Sequence, residues 1–181
     1  IYIGDFGNNN NNRRDLKVYI YDIKRSKEGI AEYVGIIDFT YPNQYAFPPD
    51  NCCLYFDNEA MIFADNQLFL FTKNRTKPFN GKSYIYSLPP VPGRYIAEIR
   101  DSVVTGKGLM HSNWIAAADY NVELNEVALL GYDKVWILYN FLQKDGKTNT
   151  NQVVTKITGY ISQKEAICYK DNKIYIGDER T

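Results

Sequence analysis

Histidine is almost missing from this sequence: His111 stands alone among 181 residues. That excludes a zinc site built on several histidines and leaves any Ser-His-Asp arrangement a single candidate base. His111 falls in a loop before a strand, where pinning the loop is the simpler role. Cysteine is scarce too. Cys52 and Cys53 are neighbours and Cys168 lies far off, so three residues give neither an even disulfide framework nor a metal-ligand spacing. We expect free thiols, with a bridge from Cys52 or Cys53 to Cys168 as the alternative. Charge of one sign is lacking, since 21 basic residues face 21 acidic ones. Neither nucleic acid nor an anionic membrane finds an electrostatic footprint here. No apolar run approaches the roughly 18 residues of a membrane-crossing helix. Apolar residues at helical spacing are absent as well, so no helix is expected. The chain also opens directly on a strand, without methionine or leader, and reads as a piece of a longer protein.

What the sequence does have is aromatic and β-branched residues, with 16 Tyr and 9 Phe. Those residues fit a pleated, half-buried surface and point to sheet. It also has one phrase spoken twice. Residues 59–71 and 165–177 both run Glu-Ala, an apolar stretch, Asp-Asn, and a second apolar stretch. The opening pentapeptide Ile1-Tyr2-Ile3-Gly4-Asp5 returns as Ile174-Tyr175-Ile176-Gly177-Asp178. A repeated strand–turn–strand unit is first a statement about architecture.

Taken in order, residues 1–6, 16–23 and 33–41 predict three strands. The five asparagines at 8–12 predict a solvated loop, and residues 24–29 a polar turn. Pro42, Pro48 and Pro49 make the next segment a structured loop. Residues 60–63 and 68–72 predict a hairpin about Asp65-Asn66, followed by strands 83–88 and 94–104. A third set follows at 115–120, 127–132, 134–141 and 152–160, with a polar turn at 144–151. The phrase then returns at Glu165.

Equivalent second strands begin near Tyr2, Leu68, Val127 and Ile174, at separations of 66, 59 and 47 residues. Four-stranded antiparallel units at such spacing are the mark of propeller blades. The expected fold is therefore all-β: a partial β-propeller with parts at about 1–41, 57–104, 113–160 and 163–181. That makes two whole blades and two partial ones, a fragment of a larger ring, with a single-domain sandwich as the alternative.

The words Gly4-Asp5-Phe6-Gly7-Asn8-Asn9, Leu70-Phe71-Thr72-Lys73-Asn74-Arg75, Ala118-Asp119-Tyr120-Asn121 and Gln163-Lys164-Glu165-Ala166-Ile167 resemble an uncharacterised β-propeller family of Bacteroidetes. Its members are secreted or surface proteins, and some carry a sorting domain for type IX secretion. The resemblance implies a secreted or cell-surface location, and a further section of the ring ahead of residue 1. Two departures are visible: Ala116-Ala117 where the family has Thr-Gly, and Asn58 where it has Cys. The family has no settled activity to carry over.

Three carboxylates are the metal candidates. Glu59, Asp119 and Glu165 are expected at or near the start of an innermost strand, facing a central channel. Carboxylates that converge repel one another unless a cation or hydrogen-bond donors lie between them. Oxygen ligands of this kind suit Ca²⁺, and the layout resembles gluconolactonase-like and paraoxonase-like propeller hydrolases. The plainer role is to accept backbone N–H groups from the neighbouring blade. Asp5, Asn8, Asn9, Asp178 and Glu179 are loop candidates because they follow strands, where function concentrates and where turn formers also gather. The expected function is a non-catalytic binding or scaffold module with a protein or glycan partner, besides the remainder of its own ring. The alternatives are a Ca²⁺-dependent hydrolase or lactonase and a purely structural module.

Overall fold

The computed structural model describes residues 1–23, 29–157 and 162–179. The chain is all-β. Fourteen strands run in chain order: β1 (Tyr2–Asp5), β2 (Lys17–Asp22), β3 (Glu32–Thr40), β4 (Asp57–Ala64), β5 (Gln67–Lys73), β6 (Lys82–Leu88), β7 (Gly93–Ile96), β8 (Glu98–Val104), β9 (Ala117–Asn121), β10 (Glu126–Leu130), β11 (Lys134–Tyr139), β12 (Gln152–Lys156), β13 (Lys164–Lys170) and β14 (Lys173–Asp178). Two short 3-10 turns, Asn51–Cys53 and His111–Asn113, are the only helical pieces among the described residues. The expected turn at 24–29 and the end of the expected strand 152–160 fall largely outside those residues.

The strands form four sheets, ordered β1-β2-β3-β7, β4-β5-β6-β8, β9-β10-β11-β12 and β13-β14. All pairings are antiparallel except β3 with β7. The last strand of the second set differs from the expectation. Residues 94–104 are two strands, because the chain changes sheets at Ala97. Gly93–Ile96 extends the first sheet, and Glu98–Val104 closes the second. Ala97 is buried at the crossing and donates its N–H to Thr40 O at 2.9 Å. One extended stretch therefore ties two sheets together.

Side-chain alternation along the second strands explains how the sheets stack. Leu68 and Leu70 of β5 join Val18, Ile20, Ile37 and Phe39 in a core between the first and second sheets. Phe69 and Phe71, on the opposite face, join Val127, Leu129, Trp136 and Leu138 between the second and third. Ala128 and Leu130 then meet Ile167, Tyr169, Ile174 and Ile176 of the fourth. The two middle sheets are thus buried on both faces, and β5 and β10 read as nearly continuous apolar runs. The strands that begin these sheets also lie side by side, β4 against β9 and β9 against β13.

The Asp-Asn turns form as the sequence predicts. Ala64 pairs with Gln67 and Lys170 with Lys173, leaving two-residue loops. Asp65, Asn66, Asp171 and Asn172 all have φ between 46° and 55°, the left-handed region that Asp and Asn tolerate.

Candidate cleft at the starts of the inner strands

The repeated glutamates share a backbone device. In β4 the register steps from Asn58 opposite Thr72 to Ala60 opposite Phe71, which leaves Glu59 as an extra residue. In β13 it steps from Lys164 opposite Asp178 to Ala166 opposite Gly177, which leaves Glu165. Each glutamate is therefore a β-bulge residue, and a bulge re-aims its side chain out of the pleat. Counting back from the hairpin turn, the third sheet places Ala116 there. It forms no bulge, and its N–H donates to Leu130 O at 2.8 Å.

Glu59 and Glu165 open onto the same cleft, a space of about 640 Å³. Lys73, Arg75, Trp114 and Tyr132 complete one wall, and Asp178 and Glu179 lie on the other. Asp119 is not among its lining residues. It sits in mid-strand opposite Ala128, and its Oδ2 accepts the Tyr169 N–H at 2.6 Å. Asp119 thus lies outside the cleft that Glu59 and Glu165 share and takes the plainer of the two roles expected of it, bonding the third sheet to the fourth. Among the described residues no group of three or more His, Cys, Asp or Glu side chains is placed to hold a metal ion. The donor set expected for Ca²⁺ does not converge.

Electrostatics divide the cleft. The Lys73 side chain is only 4% exposed, and its Nζ lies 2.6 Å from Glu59 Oε2. It also lies 4.9 Å from the Trp114 ring centre and 5.9 Å from that of Tyr132. Arg75 lies over the same indole at 4.5 Å, and its Nε is 2.6 Å from Oδ2 of the fully buried Asp57. Trp114 is fixed in turn by donating Nε1–H to Asn74 O at 2.6 Å. These contacts make one rigid wall, in which each cation has both a carboxylate and a π face. The opposite wall is solvated. Glu165 accepts from Gln163 Nε2 at 2.5 Å, and Asp178 pairs with the buried Lys164 at 2.8 Å.

The asparagine run contradicts its expected character as a solvated loop. Asn8 and Asn11 are buried, and Asn9 and Asn10 are exposed. Asn8 donates its backbone N–H to Asp57 Oδ1 and its Nδ2 to Phe56 O, while its Oδ1 accepts from the N–H groups of Asn12 and Arg13. Asn11, at φ 52°, accepts the Phe56 N–H at 2.6 Å. Side-chain amides that both donate and accept can staple backbone that has no sheet partner. Asn9 is thereby presented to Arg75, whose Nη2 donates to its Oδ1.

Asn9, Arg75 and Trp114 also line a second hollow of about 480 Å³, with Pro48, Pro49, Leu54, Met110 and His111. The two spaces thus share a saddle. His111 makes an edge-on contact with Trp114 at 4.3 Å, the loop-pinning role expected of it. Asp5 pairs with Arg13 at 2.8 Å and belongs to neither space. Cys52, Cys53 and Cys168 are free and exposed, with Cys52 and Cys53 Sγ 3.1 Å apart, so no bridge joins either to Cys168.

Arg75 follows a second strand, as the loop candidates do, but Asp57, Trp114 and Tyr132 are not singled out in the sequence as site residues. Asp57 and Arg75 flank the phrase at the ends of β4 and β5. Trp114 and Tyr132 hold in the third sheet the places of Asp57 and Lys73, a signal that counting from the hairpin turns makes visible. No protein-family model matches the chain, and no curated protein matches it in sequence.

Proposed function

We propose that the chain is a non-catalytic binding module, part of a propeller-like stack of sheets in a secreted or cell-surface protein. The observation that carries this is the saddle at Asn9, Arg75 and Trp114, which joins two hollows into one groove over a fixed wall. A groove that runs past a held guanidinium, an indole edge, exposed amides and solvent-facing carboxylates suits an extended polar ligand, a peptide or glycan strand. The stacking of sheets buried on both faces, with the starting strands side by side, supports the propeller reading. The words shared with the Bacteroidetes family support the location. A hydrolase is the weaker reading, because Lys73 neutralises Glu59 and Asp57 is consumed by Arg75.

The test is retention of the whole chain on arrays of peptides and of oligosaccharides, alongside Tyr132→Ala and Glu165→Ala variants. Both residues line the first hollow, and neither belongs to the Asp57–Arg75 pair. The expected result is a defined set of retained ligands that both variants weaken about tenfold. Retention of nothing, or retention that neither variant changes, overturns the proposal.

A further inference from the structure

The two hollows that meet at Asn9, Arg75 and Trp114 differ in the sign of their charge. In the first, the carboxylates of Glu59, Glu165, Asp178 and Glu179 outnumber the cations of Lys73 and Arg75. In the second, no Asp or Glu is among the described lining residues, and the charged ones are Arg75 and Lys77. Asp50 lies between Pro49 and Asn51 in the chain but does not line the space. The segment after β5 explains this arrangement, because inward and outward residues alternate there. Asn74 and Thr76 are buried, Arg75 is half-buried and Lys77 is exposed. Leu54 O accepts the Arg75 N–H at 2.9 Å, and Asn51 O accepts the Lys77 N–H at 2.8 Å. The turn that follows Pro48 and Pro49 thus holds two cations on one rim.

Donors on that rim are left over. Arg75 gives Nε to Asp57 and Nη2 to Asn9, and no acceptor meets its Nη1 among the described residues. Lys77 Nζ makes no hydrogen bond or ion pair among them. The exposed His111 adds a ring N–H. Pro48, Pro49, Leu54 and Met110 supply apolar surface beside these donors. A space with unmatched cations and an apolar lining fits an anionic group carried on an apolar body.

We infer that the second hollow is the subsite for an acidic side chain of an extended peptide, an Asp or Glu next to an apolar residue. The inference rests on the groove proposed above and names its ligand. A carboxylate supplies the acceptor that the guanidinium lacks and neutralises Lys77. The apolar neighbour covers Leu54 and Met110. Two features favour a peptide over a glycan. The Trp114 ring is engaged by Lys73, Arg75 and His111, so it is not offered as a platform for a sugar ring. The groove also changes sign from one hollow to the other, which a strand of mixed side chains matches and a glycan of uniform charge does not.

The test presents the full chain with arrayed hexapeptides, randomised apart from a central Glu-Leu, Gln-Leu or Lys-Leu, and with oligogalacturonate as an anionic glycan. Glu-Leu peptides are expected to be retained about tenfold more strongly than their Gln-Leu counterparts, with the difference shrinking as salt is raised. Lys77→Glu, a change on an exposed side chain that spares the core, should cut that preference about fivefold. Glu165→Gln, in the first hollow, should leave the preference in place. Retention of peptides without regard to the acidic residue overturns this inference and leaves the groove standing, as does a preference that Lys77→Glu does not change. Oligogalacturonate retained in place of peptides overturns it in favour of a glycan. Retention of nothing overturns the groove and the inference together.

Discussion

The second and fourth sheets open with the same phrase and the same bulge, yet they surround their glutamates with opposite chemistry. Glu59 meets the buried ammonium of Lys73, whereas the position equivalent to Lys73 in the fourth sheet is Glu179. Asp57, fully buried beneath Arg75, corresponds to the exposed Gln163. One backbone device thus serves two ends: in the second sheet it closes an ion-paired wall, and in the fourth it leaves carboxylates facing solvent. Repetition of sequence fixes where a side chain emerges. Its neighbours from other sheets decide what it does.

The comparison breaks most visibly at Asp57. Asp57→Ala leaves Arg75 without its buried partner and Asn8 without its acceptor, and should cost about 3 kcal/mol in chemical denaturation. Gln163→Ala, at the equivalent position, should stay within about 0.5 kcal/mol. Next is the loop that braces the wall. Asn11→Ala removes the acceptor of the Phe56 N–H and places alanine at a positive φ, an expected loss of about 2 kcal/mol. Asn10→Ala, exposed and one residue away, should be neutral. If both asparagines prove neutral, the run is the solvated loop that its composition suggests.

Tyrosine sharpens the account on a smaller scale. Burial pushes the Tyr41 and Tyr86 hydroxyls well above their ordinary range, and burial together with the Glu126 and Asp119 carboxylates lifts Tyr169 to about 12. The folded pKa exceeds the unfolded one, so the stability these groups contribute is complete below about pH 10 and is lost as pH rises further. The Tyr41 hydroxyl has no hydrogen-bond partner among the described residues. Tyr41→Phe should therefore be neutral or stabilising by up to about 1 kcal/mol at pH 7. It should also flatten the alkaline loss of stability, which thermal melts across pH would record.

Much of the architecture was legible in the sequence. Period-two apolar runs and Asp-Asn turns announce the hairpins, and the repeat announces that sheets recur. The change of sheet at Ala97 was hidden because a strand that leaves one sheet for another keeps the same extended pattern. Asp119 misled because an acidic residue near the end of a repeat looks equivalent to the glutamates. Only the register shows that Ala116 holds their place, and that Asp119 lies in mid-strand within reach of the Tyr169 amide. The wall was illegible for a related reason. Lys73 and Arg75 leave β5, Trp114 leads into β9 and Tyr132 follows β10, so the repeat shows which places they hold but not that they meet in one wall.

The central claim is that Glu59 and Lys73 form one ion-paired structural unit, whereas Glu165 meets only the exposed amide of Gln163. A double-mutant cycle on Glu59→Gln and Lys73→Met, measured by chemical denaturation, tests it most directly. The predicted coupling is about 1.5 kcal/mol, as for a hydrogen bond to a charged group, with Glu165→Gln changing stability by less than about 0.5 kcal/mol. A coupling below about 0.3 kcal/mol, or a Glu165→Gln loss equal to that of Glu59→Gln, would contradict it.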